Sequence, residues 1–279
     1  MNRLSSYSRR NPMLLNYPFY VGNAIPLVSL CNMQPGRQED AQEFLLNLLE
    51  SLRNDLGDQE NSVNIFAGEM TNYIKCKDVM FMKESKERFH DISLDIADYS
   101  NLQDALDGFF TPVTLEGSNQ YNTKTHGRQD AIKGIRISRL PKVLFIHLKR
   151  FGFDIETNEM RKIPKALEFP MNLCLDKYVD ITDKVGGNVE GLVSNCQLNA
   201  VILHDGNGDA GHYTCFVKTN DRNIHDTWYR LNDEVFGIVD TDTVMEESSG
   251  RVPNVQRSDN GISKNGYILQ YVKTEKNTD

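Results

Sequence analysis

HYTCFVK, residues 212–218, alternates so that His212, Thr214 and Phe216 share one side of an extended chain and Tyr213, Cys215 and Val217 the other. Three similar short runs share its part of the chain: LNAVILH (198–204), TWYRL (227–231) and GYILQYV (266–272). Polar turns separate them, and short strands with local connections predict an antiparallel sheet. Upstream, VLFIHL (143–148) is a continuous apolar run between Pro141 and the pair Lys149 and Arg150. It reads as a buried central strand, with His147 turned into packed interior in a structural role.

Working outward, QEDAQEFLLNLLESL (38–52) changes the period. Ala41, Phe44, Leu45, Leu48, Leu49 and Leu52 recur three and four apart and form one helical stripe. Glu39 and Asp40 are expected in its first turn, where acids favour the positive helix end. YIKCKDVMFM (73–82) and DISLDI (91–96) read as strands, and Leu102, Ala105, Leu106 and Phe109 share a face of a short helix. Residues 182–195 and 246–266, rich in glycine, serine and asparagine, read as exposed loops. Before residue 36, Pro12, Pro18, Pro26 and Pro35 break the chain into short pieces.

Composition narrows the partners. The 279 residues carry 31 lysines and arginines against 39 acids, a net charge of -8, with 39% hydrophobic and 25% charged residues. That is a globular composition, and the acidic balance argues against nucleic acid as the main partner. No apolar run of membrane-spanning length occurs, so no membrane partner is expected. Cytosol or nucleus is the expected location, since the first thirty residues lack the apolar core of a secretory signal. Five cysteines, Cys31, Cys76, Cys174, Cys196 and Cys215, show no close pairing and fit reduced thiols.

His212 stands at a strand entrance directly after Gly206, Gly208 and Gly211, glycines that let a backbone approach a ligand closely or move. A histidine there is either a base at an active-site edge or a surface histidine after a turn. The tetrad LNDE (231–234) follows an aromatic strand that could lie beside it. A base needs a partner that accepts from its far nitrogen and fixes its tautomer; Asn232 and Asp233 both qualify, and both are also ordinary turn residues.

Taken together, GHYTCF with WYRLND resembles the histidine box of the ubiquitin-specific proteases, cysteine enzymes that cut after the carboxyl end of ubiquitin. QEDAQEF resembles that family's acidic helix motif, LPKVLFIHLKRF (140–151) its central palm strand, and GYILQYV its last strand. The four motifs occur in the family's order across residues 34–272. The resemblance implies an α+β, papain-like cysteine-protease fold of the ubiquitin-specific protease type in one domain. Its parts would be a thumb remnant at 34–67, mostly fingers at 68–136, mostly palm at 137–273 and a tail at 274–279. It implies ubiquitin or ubiquitinated proteins as partners and no cofactor. Carried over by motif, His212 is the general base, Asn232 its orienting partner and Asp233 an auxiliary polar group. Asp40, Glu43, Gly211 and Tyr213 would bind substrate, the two acids holding ubiquitin's arginine-containing tail. Residues 205–210 and 152–160 fall where the family has mobile loops over that tail.

Two departures from the pattern matter. Many members bind zinc in the fingers through two CxxC pairs, a site that needs four ligands. Here CKDV offers Cys76 with Val79 in the second place, and the later pair is replaced near Thr123 and His126, so no metal site is expected. The family's nucleophile lies in a motif of the form N-x-G-x-x-C-Y-x-N-S, which nothing before residue 38 matches. Cys31, in VSLCNMQ, lacks the flanking residues and stands too near the acidic helix; Cys215 points away from the His212 face and is expected in the core. The chain as written is therefore expected to lack a nucleophile. It is either a deubiquitinase domain missing its cysteine box or a ubiquitin-binding pseudoenzyme. A helix stripe deprived of thumb neighbours is expected to be exposed and to promote association.

Overall fold

The computed structural model describes residues 39–56, 61–155, 158–180, 194–208, 210–219, 227–251 and 263–274. Cys31, the proline-broken start and most of the two loops at 182–195 and 246–266 lie outside them. The chain divides into two compact units, residues 1–59 and 60–279.

In the first unit, α1 (Ala41–Leu56) is the helix announced by the apolar stripe. Asp40 caps it rather than lying in its first turn: its Oδ1 accepts from the backbone N–H groups of Gln42 (2.8 Å) and Glu43 (3.1 Å). A short acidic side chain at that position satisfies donors that have no partner within the helix. The stripe is not laid bare as expected, since Leu49 is buried, its neighbours are half-buried and only its last member, Leu52, is exposed.

In the second unit the chain runs through α2 (Asn61–Asn64), β1 (Gly68–Cys76), β2 (Met82–Phe89), β3 (Asp91–Asp95), α3 (Leu102–Phe110) and β4 (Val113–Leu115). Then follow β5 (Tyr121–Thr123), β6 (Gly127–Gln129), β7 (Ala131–Arg139), β8 (Val143–Lys149), β9 (Phe151–Asp154), β10 (Glu159–Lys162) and β11 (Asn172–Cys174). The last third contains β12 (Asn195–Gly206), β13 (Gly211–Thr219), β14 (Thr227–Asn232), β15 (Val235–Val239), α4 (Thr241–Ser249) and β16 (Ser263–Lys273).

Two sheets organise these elements. The smaller has the order β2-β1-β7-β4. The stretch 73–82, expected as one strand, breaks after Cys76: the chain turns and returns as β2, with Lys75 opposite Met82. Val79, Met80 and Phe81, apolar residues at its tip, obscured that turn. The larger sheet has the order β15-β14-β13-β12-β16-β8-β3, with β11 paired to β12. It is antiparallel from β15 to β8, as the four short runs predicted, and β3 joins β8 in parallel.

One face of the larger sheet forms the core. Leu94, Ile146, Leu203, Phe216, Trp228 and Leu269 are almost fully buried in a cluster that also takes Leu102, Ala105, Leu106 and Phe110 from α3. At about 25 cal/mol per Å² of buried apolar surface, such side chains stabilise by roughly 1.5–3 kcal/mol each. α3 starts where Asn101 caps it, accepting from the Asp104 N–H at 2.9 Å.

The opposite face is more polar. His147 is half-buried there rather than sunk in the interior; its Nδ1 lies 2.9 Å from Ser93 Oγ, and its ring meets Tyr267 edge-on. The strand lies inside the sheet as expected, though next to the edge strand β3 rather than at its centre, and alternation turns this position away from the core. Two further readings change. The expected loop at 246–266 begins inside α4 and ends inside β16, and the expected loop at 182–195 ends as β12 begins. Asp240 caps α4, and Gly250 closes it at φ 76°, so that helix carries both of its end signals in the sequence. Among the described residues no helix is long and apolar enough to cross a membrane.

Candidate active site

β12 and β13 form a hairpin in which Asp205 pairs with His212, and β14 pairs with β13 from Cys215 opposite Leu231 to Thr219 opposite Thr227. One step further sets Asn232 against Thr214, two residues from His212 and on its face of the sheet. Residues in that diagonal relation lie within reach of long side chains. His212 Nε2–H accordingly donates to Asn232 Oδ1 at 2.6 Å. With that proton held on Nε2, the lone pair of the neutral ring is on Nδ1, the arrangement a general base requires.

Asp233 opens the two-residue turn between β14 and β15, at φ 51°, a left-handed conformation that aspartate tolerates. Its Oδ2 lies 3.6 Å from His212 Nε2. That exceeds hydrogen-bonding distance, and the Asp233 side chain is 76% exposed, where solvent screens any ion pair. His212 itself is 48% exposed at the sheet's open end. Local sequence left Asn232 and Asp233 both open, and the family motif made Asn232 the orienting partner; the hydrogen bond runs to Asn232, with Asp233 further off.

Beneath His212 the chain is tightly built. A Cβ on Gly211 would fall 2.1 Å from Nε2 of His204, so only glycine leaves room for that buried ring. His204 meets Tyr213 at 5.0 Å and Phe151 at 5.0 Å between ring centroids, and Tyr213 lies 5.8 Å from Tyr267. Gly211 and Tyr213, singled out for substrate, thus both border a buried aromatic cluster. Sequence reasoning missed His204, whose position as the last residue of an apolar run gave no chemical signal.

Lys162 was missed as well. This buried lysine at the end of the β9–β10 hairpin donates to the carbonyls of His204 (2.8 Å) and Gly206 (3.3 Å). Burial and the neighbouring Arg150 pull its pKa down to about 7, against a raising influence from Asp205. A Cβ on Gly208 would meet the Met160 carbonyl oxygen at 2.1 Å. The hairpin and the glycine loop therefore touch closely, where sequence reasoning foresaw two separate loops. Asp40 and Glu43 belong to the first unit; Asp40 caps α1 and Glu43 is exposed in its first turn.

The described thiols stand apart from His212. Cys196 lies at the start of β12 and Cys174 ends β11 opposite Asn195, nine or more positions from Asp205, which at about 3.3 Å per residue is roughly 30 Å. Cys76 ends β1 in the other sheet. Cys215 lies on the opposite side of β13, half-buried rather than in the core; burial pushes its thiol up to about 11. Cys196 is likewise pushed up to about 11.

In the β5–β6 turn, Thr123 Oγ1 donates to Gly127 O at 3.0 Å and accepts from the His126 N–H at 2.9 Å. Phe81 packs against Tyr121 at 5.9 Å. Turn hydrogen bonds and a ring contact thus organise this region. No group of three or more His, Cys, Asp or Glu able to hold a metal occurs among the described residues, so these side chains do not fit a zinc ion.

A histidine oriented by an asparagine at the open end of an α+β sheet is the arrangement of papain-like cysteine hydrolases. The chain belongs to the ubiquitin carboxyl-terminal hydrolase family, whose model matches residues 25–271. It is 32% identical over 239 residues to Ubiquitin carboxyl-terminal hydrolase 7 of Drosophila melanogaster, covering 85% of this chain and 20% of that protein. It is 32% identical over 263 residues to Ubiquitin carboxyl-terminal hydrolase 15 of Saccharomyces cerevisiae, covering 87% of this chain and 21% of that one. The chain thus spans about a fifth of the length of these relatives. Among solved structures, a chain of the SAGA Ubp8/Sgf11/Sus1/Sgf73 DUB module bound to ubiquitin aldehyde superposes with a TM-score of 0.67 at 26% identity, over 85% of this chain and 50% of that one. The same kind of module bound to monoubiquitin gives a TM-score of 0.67 at 24% identity, over 85% and 49%. The α+β fold of the ubiquitin-specific protease type, expected from the motifs, is the fold found.

Proposed function

We propose that this chain binds the carboxyl-terminal tail of ubiquitin and, as these 279 residues, does not hydrolyse ubiquitin conjugates. The observation that carries the reading is the His212–Asn232 pair: a base with a fixed tautomer, and no described thiol near it. In the complete chemistry of the family, Nδ1 of His212 would take a thiol proton and the thiolate would attack the carbonyl of ubiquitin's last glycine. The imidazolium would then protonate the departing lysine amine, and water would release the acyl group. Asn232 would hold the ring through both transfers, with Asp233 an auxiliary polar group beside it. Asp40 and Glu43 would supply negative charge for the arginines of the tail. Loss of the nucleophile lowers the rate by about 10⁶, as the subtilisin example in general enzymology shows, and binding alone does not restore it.

The test pairs two measurements on the purified chain. Titration with ubiquitin is expected to saturate, while a ubiquitin carrying a thiol-reactive warhead is expected to leave the chain unlabelled. Labelling that disappears in Cys31→Ser would overturn the absence of a nucleophile. Failure to bind ubiquitin at several hundred micromolar would overturn the binding function.

A further inference from the structure

The two sheets protect their edges unequally. β2 edges the smaller sheet with the exposed run Lys83, Glu84, Ser85, Lys86, Glu87 and Arg88, and β4 at its other side has only three residues. β3, at one side of the larger sheet, is a short strand with aspartate at both ends. Charges and shortness are the usual means of keeping a strand edge from pairing with another chain. β15, at the other side, is as short as β3, but its acids, Glu234 and Asp240, only flank it, and no charge lies within the strand. Its sequence is VFGIV, with Val235 70%, Phe236 41% and Ile238 71% exposed, and a Cβ on Gly237 would meet nothing within 4 Å.

Register shows which backbone groups are open. Asn232 and Val235 bracket the two-residue turn, so they form a hydrogen-bonded pair, as do Arg230 and Gly237. The alternate residues Phe236 and Ile238 then direct N–H and C=O away from β14. Their side chains share a face with Leu231 and Tyr229, and beyond those with Cys215 and Val217, a band of side chains that are half-buried or exposed.

The surrounding charge selects the occupant. From Leu231 to Gly250 there is no lysine or arginine, and Glu234, Asp240 and Asp242 are exposed around the strand. Pairing with a second copy, antiparallel about Gly237, would set Glu234 of each against Asp240 of the other, so self-association is opposed. A basic strand is favoured. Its location adds the source, because β15 follows directly from the turn that carries Asn232 and Asp233.

We propose that β15 binds, as an added strand, an extended segment of the ubiquitin-carrying protein that is apolar at alternate positions and ends in lysine or arginine. This rests on the reading of the chain as a ubiquitin-binding domain. Main-chain hydrogen bonds at Phe236 and Ile238 supply affinity, and the flanking acids supply selectivity.

The test uses fluorescein-labelled heptapeptide KVTVTVK, its acidic counterpart EVTVTVE, and ubiquitin joined through its carboxyl end to the first lysine of the basic peptide. The basic peptide is expected to bind the chain at least about tenfold more tightly than the acidic one. Ile238→Pro, which removes an outward N–H, and Ile238→Lys, a surface change that spares the fold, are each expected to weaken it about tenfold or more. The conjugate is expected to bind about tenfold more tightly than ubiquitin alone, an advantage lost in Ile238→Lys. Ubiquitin alone should bind the chain and both variants equally. No peptide binding at about 1 mM, equal binding of the two peptides, or indifference to both variants overturns the strand site. A conjugate no tighter than ubiquitin overturns its assignment to the conjugated protein. Loss of ubiquitin binding with peptide binding intact overturns the ubiquitin-binding reading instead.

Discussion

Lys162 Nζ donates to the backbone carbonyl of His204 at 2.8 Å, tying the β9–β10 hairpin to the strand that leads into the glycine loop. The buried ammonium faces carbonyls, the cation of Arg150 and the compensating charge of Asp205. Its folded pKa of about 7 lies below the ordinary lysine value near 10.4. Between these values the unfolded chain binds more protons than the folded one, so this group makes stability rise with pH. Above about 7 the folded amine is neutral and still donates both hydrogen bonds. Urea midpoints measured at pH 6.5 and 8.5 should therefore rise more for the unmodified chain than for Lys162→Met. The raised thiols of Cys196 and Cys215 are present in both proteins, so their contribution cancels in the comparison. An identical pH response in both proteins would contradict the assignment.

Gly208 faces the Met160 carbonyl so closely that a methyl group cannot enter without backbone movement. Gly208→Ala should lower stability by about 1–3 kcal/mol, the range for overpacking, or push the hairpin outward. Limited proteolysis between β9 and β10 separates these outcomes: faster cleavage there with little change in thermal midpoint reports a displaced hairpin. Unchanged cleavage and an unchanged midpoint would refute the contact.

Much of this architecture was legible because period and burial agree. HYTCFVK alternates, and its Phe216 and Thr214 do face inward behind an exposed His212. GYILQYV and VLFIHL read as strands for the same reason, being apolar enough to lie inside the larger sheet. The diagonal from His212 to Asn232 needed a register that no local pattern states. The hairpin's grip on the glycine loop was illegible because it depends on a lysine, a residue type that ordinarily marks solvent. Similarly, the turn after Cys76 was hidden by Val79, Met80 and Phe81, apolar residues that mimic a continuing strand although Met80 is fully exposed.

Arg150 illustrates the same difficulty and yields a large effect. It ended the central strand as a charged boundary, yet its side chain is wholly buried, donating to the carbonyls of Gly266 (2.5 Å), Ile163 (3.1 Å) and Lys165 (2.8 Å). Burial pulls its pKa down to about 10. Three carbonyls from two segments, 163–165 and Gly266, would lose their donor in Arg150→Ala, an expected cost of about 3–5 kcal/mol. Denaturant unfolding measures it; a loss below about 1 kcal/mol would mean that water replaces the guanidinium without difficulty.

Asn232→Ala should leave the fold nearly untouched and alter the ring it serves. Both partners sit at an exposed strand end, so stability is expected to change by no more than about 0.5 kcal/mol. The tautomer is another matter, because the Asn232 oxygen is what favours a proton on Nε2. In the unmodified chain at neutral ring charge, long-range nitrogen-proton correlation spectra should show His212 protonated on Nε2. In Asn232→Ala both tautomers should appear in exchange, with Asp233, 3.6 Å from Nε2, giving only a weak residual bias. A single Nε2–H tautomer in both proteins would transfer the orienting role from the amide to the neighbouring carboxylate.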